Sequence, residues 1–124
     1  MSNEFSYQFQ ANLSNGNLTD QFTTASRNSD QTTARLIRNV QSIGVGVHEA
    51  LELGDVGSPS WAIFKNLESA GGNFVRVGVD VSGTFAPFLR VKPTDHHWCR
   101  LDGVTPYAKA DTAPVELFYI IYDD

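Results

Sequence analysis

Cysteine, methionine and basic residues are scarce in this 124-residue chain: one Cys, one Met, and nine Lys and Arg against fourteen Asp and Glu. With Cys99 alone, no intrachain disulfide can form. Stability must then come from packing and sheet hydrogen bonds, which suits assembly in a reducing cytosol. The cations form no run, and the net charge is −5 with a pI near 5.0. Nucleic-acid affinity depends on clustered cations displacing counterions, so no nucleic-acid partner is expected. No apolar run approaches the roughly 20 residues that cross a bilayer, and no membrane partner is expected. The opening MSNEFSYQFQ has no basic stretch followed by an apolar one, so it does not read as a secretory signal. The Asn-x-Ser/Thr patterns at Asn12 and Asn17 carry no meaning without secretion.

What the chain has in quantity is even-odd alternation. Phe5, Tyr7, Phe9, Ala11 and Leu13 alternate with Ser6, Gln8, Gln10 and Asn12, and Val75, Val77, Val79 and Val81 alternate with Phe74, Arg76, Gly78 and Asp80. Side chains of a strand point to opposite faces in turn, so a period of two marks one buried and one wet face. Strands are expected over residues 5–13, 18–26, 32–42, 47–53, 61–67, 73–82, 84–92, 97–101, 107–110 and 115–122. Turns are expected at residues 14–17, 27–30, 68–72 and 93–95, with Gly83 separating two strands. Helical periodicity is weak throughout. Nine or ten short strands about 8–12 residues apart predict an all-β, antiparallel β-sandwich. Residues 1–124 read as a single domain, with residues 1–30 an arm or a segment ordered on assembly.

Chemistry-bearing clusters are few. Asp95-His96-His97-Trp98-Cys99 is the one grouping of metal-ligand residue types. In a strand, His97 and Cys99 share one face while His96 and Trp98 take the other. A complete site needs about four converging ligands, hence a distant partner such as His48, Asp102 or a second subunit. The plainer reading is a turn entering a strand, with Trp98 packed. Gly44-Val45-Gly46-Val47 lacks the third glycine, helix and basic residue of a phosphate loop. Ser58-Pro59-Ser60 has no nucleophile elbow around it. Asp123 and Asp124 sit at a terminus expected to fray. No catalytic, cofactor-binding or metal residue is assigned, and an enzyme is not expected.

Aromatic residues supply the interface candidates. Phe5, Tyr7 and Phe9 read as core residues or as an arm that adds a strand to a neighbour. Residues 115–122 are apolar on both faces, as in a central strand or one facing another subunit. Tyr119 and Tyr122 are therefore candidate interface residues, and with Tyr107 they offer rings on which a sugar could stack.

From Gly57 to Asp124 the chain resembles a recurring kind of small phage virion protein. The phrases that carry the likeness are Trp61-Ala62-Ile63-Phe64-Lys65-Asn66-Leu67, Asn73-Phe74-Val75-Arg76-Val77-Gly78, Phe85-Ala86-Pro87-Phe88-Leu89-Arg90-Val91-Lys92-Pro93 and the ending from Tyr107-Ala108-Lys109-Ala110 to Leu117. The chain departs at one turn, where Thr94-Asp95 follows Pro93 and Gly-Glu is usual. The resemblance implies a non-enzymatic, jelly-roll-like sandwich in a phage particle, assembled in the host cytoplasm. The leading expectation is a capsid decoration or cement protein, a homo-oligomer with a trimer favoured, bound to the major capsid protein. The alternatives are a tail, baseplate or fibre-adaptor subunit bound to tail proteins, and a receptor- or carbohydrate-binding module.

Overall fold

Alternation becomes antiparallel strand pairing throughout the computed structural model, which describes residues 5–29 and 35–124. The chain divides into two compact units, Met1–Thr33 and Ala34–Asp124. Among the described residues there are twelve strands and no helix.

The first unit is a two-stranded ribbon. Strands β1 (Phe5–Tyr7) and β4 (Arg27–Ser29) pair at its open end, and β2 (Gln10–Asn15) pairs with β3 (Leu18–Thr23) at its closed end. Gly16, at φ +60, opens the two-residue loop between β2 and β3. Glycine is the residue that takes this position without steric cost. At the junction of the two halves the Thr24 amide donates to the Phe9 carbonyl at 3.0 Å, and the Phe9 amide donates to Thr24 Oγ1 at 3.0 Å. The expected strand over 5–13 is thus interrupted at Gln8 and Phe9. Of the turn expected at 27–30, Arg27, Asn28 and Ser29 are strand instead, and Asp30 lies outside the described residues.

The second unit holds the other eight strands: β5 (Leu36–Ile43), β6 (Glu49–Ala50), β7 (Pro59–Asn66), β8 (Val75–Val81), β9 (Thr84–Val91), β10 (His96–Arg100), β11 (Tyr107–Ala110) and β12 (Val115–Asp123). Pairing is nested: β5 with β12, β6 with β11, β7 with β10, β8 with β9. The sheets run in the orders β10-β7-β12-β5 and β6-β11-β8-β9. A long hairpin rolled upon itself gives this connectivity, which is that of the jelly roll. The all-β antiparallel sandwich is therefore the fold.

The core lies between the two sheets. Ile43, Ala62, Phe64, Val115, Leu117, Tyr119 and Ile121 from one sheet are buried against Val75, Val77, Val91, Ala108 and Ala110 from the other. Each large aliphatic or aromatic side chain withdrawn from water here contributes about 1.5–3 kcal/mol. Asp123 does not fray. It is 4% exposed, and its carboxylate accepts the amides of Ser58 at 2.8 Å, Asp124 at 3.1 Å and Gly57 at 3.4 Å. The Ser58 amide first of all holds this carboxyl below the ordinary aspartate range, against the opposing effect of burial.

Two tight turns differ in how well their residues suit them. Ser82 and Gly83, at φ 52 and 88, form the two-residue β8–β9 loop with both central residues at positive φ. In the turn before β10, Thr94 stands at φ 66. A β-branched residue is strained there. Thr94→Gly is expected to stabilise the protein by about 0.5–1 kcal/mol, because relief of the left-handed penalty exceeds the entropy that glycine adds to the unfolded chain. Urea denaturation checks it: an unchanged or lowered midpoint contradicts the strain.

Candidate interaction faces

Two surfaces break the rule that alternation exposes the polar side. The first is the β2–β3 hairpin. Directly opposed residues share a face, so Ala11 with Phe22, Leu13 with Asp20 and Asn15 with Leu18 occupy one side. Gln10, Asn12, Ser14, Thr19, Gln21 and Thr23 occupy the other, and all of them are polar. On the apolar side Leu13, Leu18 and Phe22 are 47%, 60% and 58% exposed. An isolated two-stranded hairpin is at best marginally stable in water. One that also leaves its apolar side wet would gain stability from anything that covers that side.

The second surface is the outer face of the β10-β7-β12-β5 sheet. Register places Val40, Phe118, Lys65 and His96 in one row and Arg38, Ile120, Ile63 and Trp98 in the next. Leu36 stands opposite Tyr122, and Trp61 opposite Arg100. Leu36 and Val40, on the edge strand β5, are 56% and 46% exposed. The rings of Trp61 and Trp98 stack with centroids 4.9 Å apart. The Arg100 guanidinium lies 5.3 Å over Trp61, and that of Arg38 lies 6.0 Å over Phe118. Aromatic residues and arginine around an aliphatic patch are the composition enriched at the centres of protein interfaces.

The residues singled out from sequence are scattered over these surfaces. Tyr7 is half-buried in β1 and Phe9 is 40% exposed between β1 and β2, while the side chain of Phe5 lies outside what the structure describes. Tyr122 is half-buried on the outer sheet face. Tyr119 is a correction. It is wholly buried on the inner face of β12, and its hydroxyl lies 2.8 Å from the Glu52 carbonyl, to which it donates, and accepts Asn39 Nδ2 at 3.1 Å. No partner could reach that ring. Tyr107, Tyr119 and Tyr122 form no sugar platform either, since they lie on the second sheet, in the core and on the outer face of the first sheet. Leu13, Leu18, Phe22, Leu36 and Val40 were the residues missed. Their signal is apolar character on a strand side that nothing in the sequence marks as exposed.

The histidines fall apart likewise. His97 and Cys99 share the inner side of β10, as their spacing predicts, opposite Phe64 and Ala62. His97 Nε2 stands 3.6 Å from Asp95 Oδ2, while His48 bonds Asp80 at 2.6 Å on the other sheet. That bond from His48 is the main cause holding the Asp80 carboxyl below its ordinary range. Burial raises the Cys99 thiol, which disfavours the reactive thiolate. Among the described residues no three His, Cys, Asp or Glu converge as a metal site would require.

No family model and no curated protein matches the chain. A solved chain of the Bacillus endospore appendages, disulfide-linked pili, aligns at a TM-score of 0.43 with 13% identity, covering 81% of this chain and 98% of its own. A likeness of that size carries no argument about role.

Proposed function

We propose that this protein is a non-enzymatic structural component of a phage virion, a decoration or cement protein on the outside of the head. The jelly roll provides a stiff body, and the β2–β3 hairpin is the arm that docks on the major capsid protein. The observation carrying this reading is the hairpin's uncovered apolar side: Leu13, Leu18 and Phe22, each about half exposed. The sequence likeness to small phage virion proteins supplies the partner. The outer face of the β10-β7-β12-β5 sheet is assigned to contact between copies, in a homotrimer. Many copies on a symmetric shell turn modest single contacts into collectively strong attachment.

The test mixes purified protein with undecorated heads. Saturable binding is expected, weakened at least about 100-fold by Leu18→Asp combined with Phe22→Asp, since each buried anchor is worth about 2 kcal/mol or more. Both substitutions fall on residues that pack into no core, so the variant should melt with the wild type. Binding that survives the double substitution, or no binding by the wild type, removes the reading. Sedimentation equilibrium of the free protein checks the trimer.

A further inference from the structure

The second sheet carries a feature unrelated to docking of the arm. Lys109 on β11 stands directly opposite Arg76 on β8, and Arg76 directly opposite Arg90 on β9. Three cations thus cross three adjacent strands in one row, about 10 Å long at normal strand spacing. Like charges directly opposed in a sheet are destabilising. In a chain where acids outnumber bases, pairing would be the ordinary remedy. None of the three has a carboxylate oxygen within 4.0 Å among the described residues. The guanidinium groups of Arg76 and Arg90 both lie over the Phe74 ring, 4.7 and 4.5 Å from its centroid. That stacking offsets part of the repulsion and holds the two groups in place.

A hollow of about 450 Å³ opens beside the row, walled by Arg76 and Lys109, the apolar Val45, Phe85 and Pro87, and Asp111. This volume is within the usual range for small-molecule sites. We infer that Arg76, Arg90 and Lys109 form a binding site for an acidic sugar. Its carboxylate or phosphate would lie on the cation row, where arginine binds both groups bidentately. Its ring would rest on Phe85 and Pro87, and the Asp111 carboxylate would accept from a ring hydroxyl. The site is independent of the arm and of the virion reading.

The experiment follows amide chemical shifts at low ionic strength during titration with glucuronate, glucose 6-phosphate, inorganic phosphate and neutral glucose. Saturable shifts around Arg76 and Lys109 are expected with at least one acidic sugar, tighter than with inorganic phosphate and absent with glucose. A response to glucuronate alone identifies a uronic acid, and to glucose 6-phosphate alone a sugar phosphate. Arg90→Gln and Lys109→Gln should each weaken binding about tenfold, as loss of one charge-assisted contact does. Without ligand, Lys109→Gln should raise the melting temperature by about 1–5 °C in low salt, because one repulsion is gone. No saturable shift with either acidic sugar, or binding equally strong in Arg90→Gln and Lys109→Gln, overturns the site.

Discussion

Replacing Gly78 with alanine is expected to cost at least about 3 kcal/mol and to lower the melting temperature by about 12 °C or more. A Cβ at this position would lie against the Ala86 carbonyl oxygen, 2.5 Å from Pro87 Cα and 2.7 Å from the Ala86 carbonyl carbon. All three are backbone atoms, so no side-chain rotation can relieve the overlap, and the β8–β9 ladder must part. The crowding has a cause in the register. Val77 pairs with Leu89, but Gly78 pairs with Pro87, so Phe88 is the extra residue of a bulge. Proline has no amide to give a ladder and is tolerated at edge strands and bulges, and β9 is both. Gly46→Ala is the control, since nothing lies within 4 Å of that position. Thermal melts of the two variants decide the matter: equal transitions would show that the bulge yields freely.

Asn66→Leu is expected to destabilise by about 3–5 kcal/mol, a comparable loss by a different route. Asn66 is wholly buried at the end of β7. Its Nδ2 donates to the carbonyls of Asn73 at 2.9 Å and Val91 at 3.0 Å, and its Oδ1 accepts the Glu68 amide at 2.9 Å. Because β7 belongs to one sheet and Val91 to the other, this one amide fastens the two layers. Leucine has similar bulk but leaves the three backbone groups without their partner, two of them carbonyls facing an apolar side chain. Each orphaned group costs about 1–3 kcal/mol. Asn66→Asp should be no better, because its oxygens would face two carbonyl oxygens. Chemical denaturation of both variants tests this, and a loss below about 1 kcal/mol for either would mean that the staple is not needed.

These residues also account for two of the phrases that stand out in the sequence. In Phe64-Lys65-Asn66-Leu67, Phe64 is core and Asn66 is the staple. In Asn73-Phe74-Val75-Arg76-Val77-Gly78, Asn73 receives the staple, Val75 and Val77 are core, and Gly78 meets the bulge. Both phrases therefore mark structural joints.

Strand positions were legible because period two is a local property: residues 61–67, 73–82, 84–92 and 107–110 were expected as strands, and β7, β8, β9 and β11 occupy nearly those spans. Glycine and asparagine marked the Gly16 turn equally well, since positive φ is a demand made on one residue. Alternation says only that two faces differ, and not which apolar face is covered. Tyr119 and Tyr122 read alike in sequence, yet one is in the core and the other on the outer sheet face. Leu18 and Phe22 look like core residues, yet both are more than half exposed. The bulge at Phe88 is the sharpest case. Strict alternation would put Phe88 and Ala86 on the side of Arg90, whereas the inserted residue shifts the phase and brings Pro87 and Phe85 there. Pattern sets the identity of each strand from within. Exposure, register and the row of three cations arise between strands far apart in the chain, so they exist only once the sheets have formed.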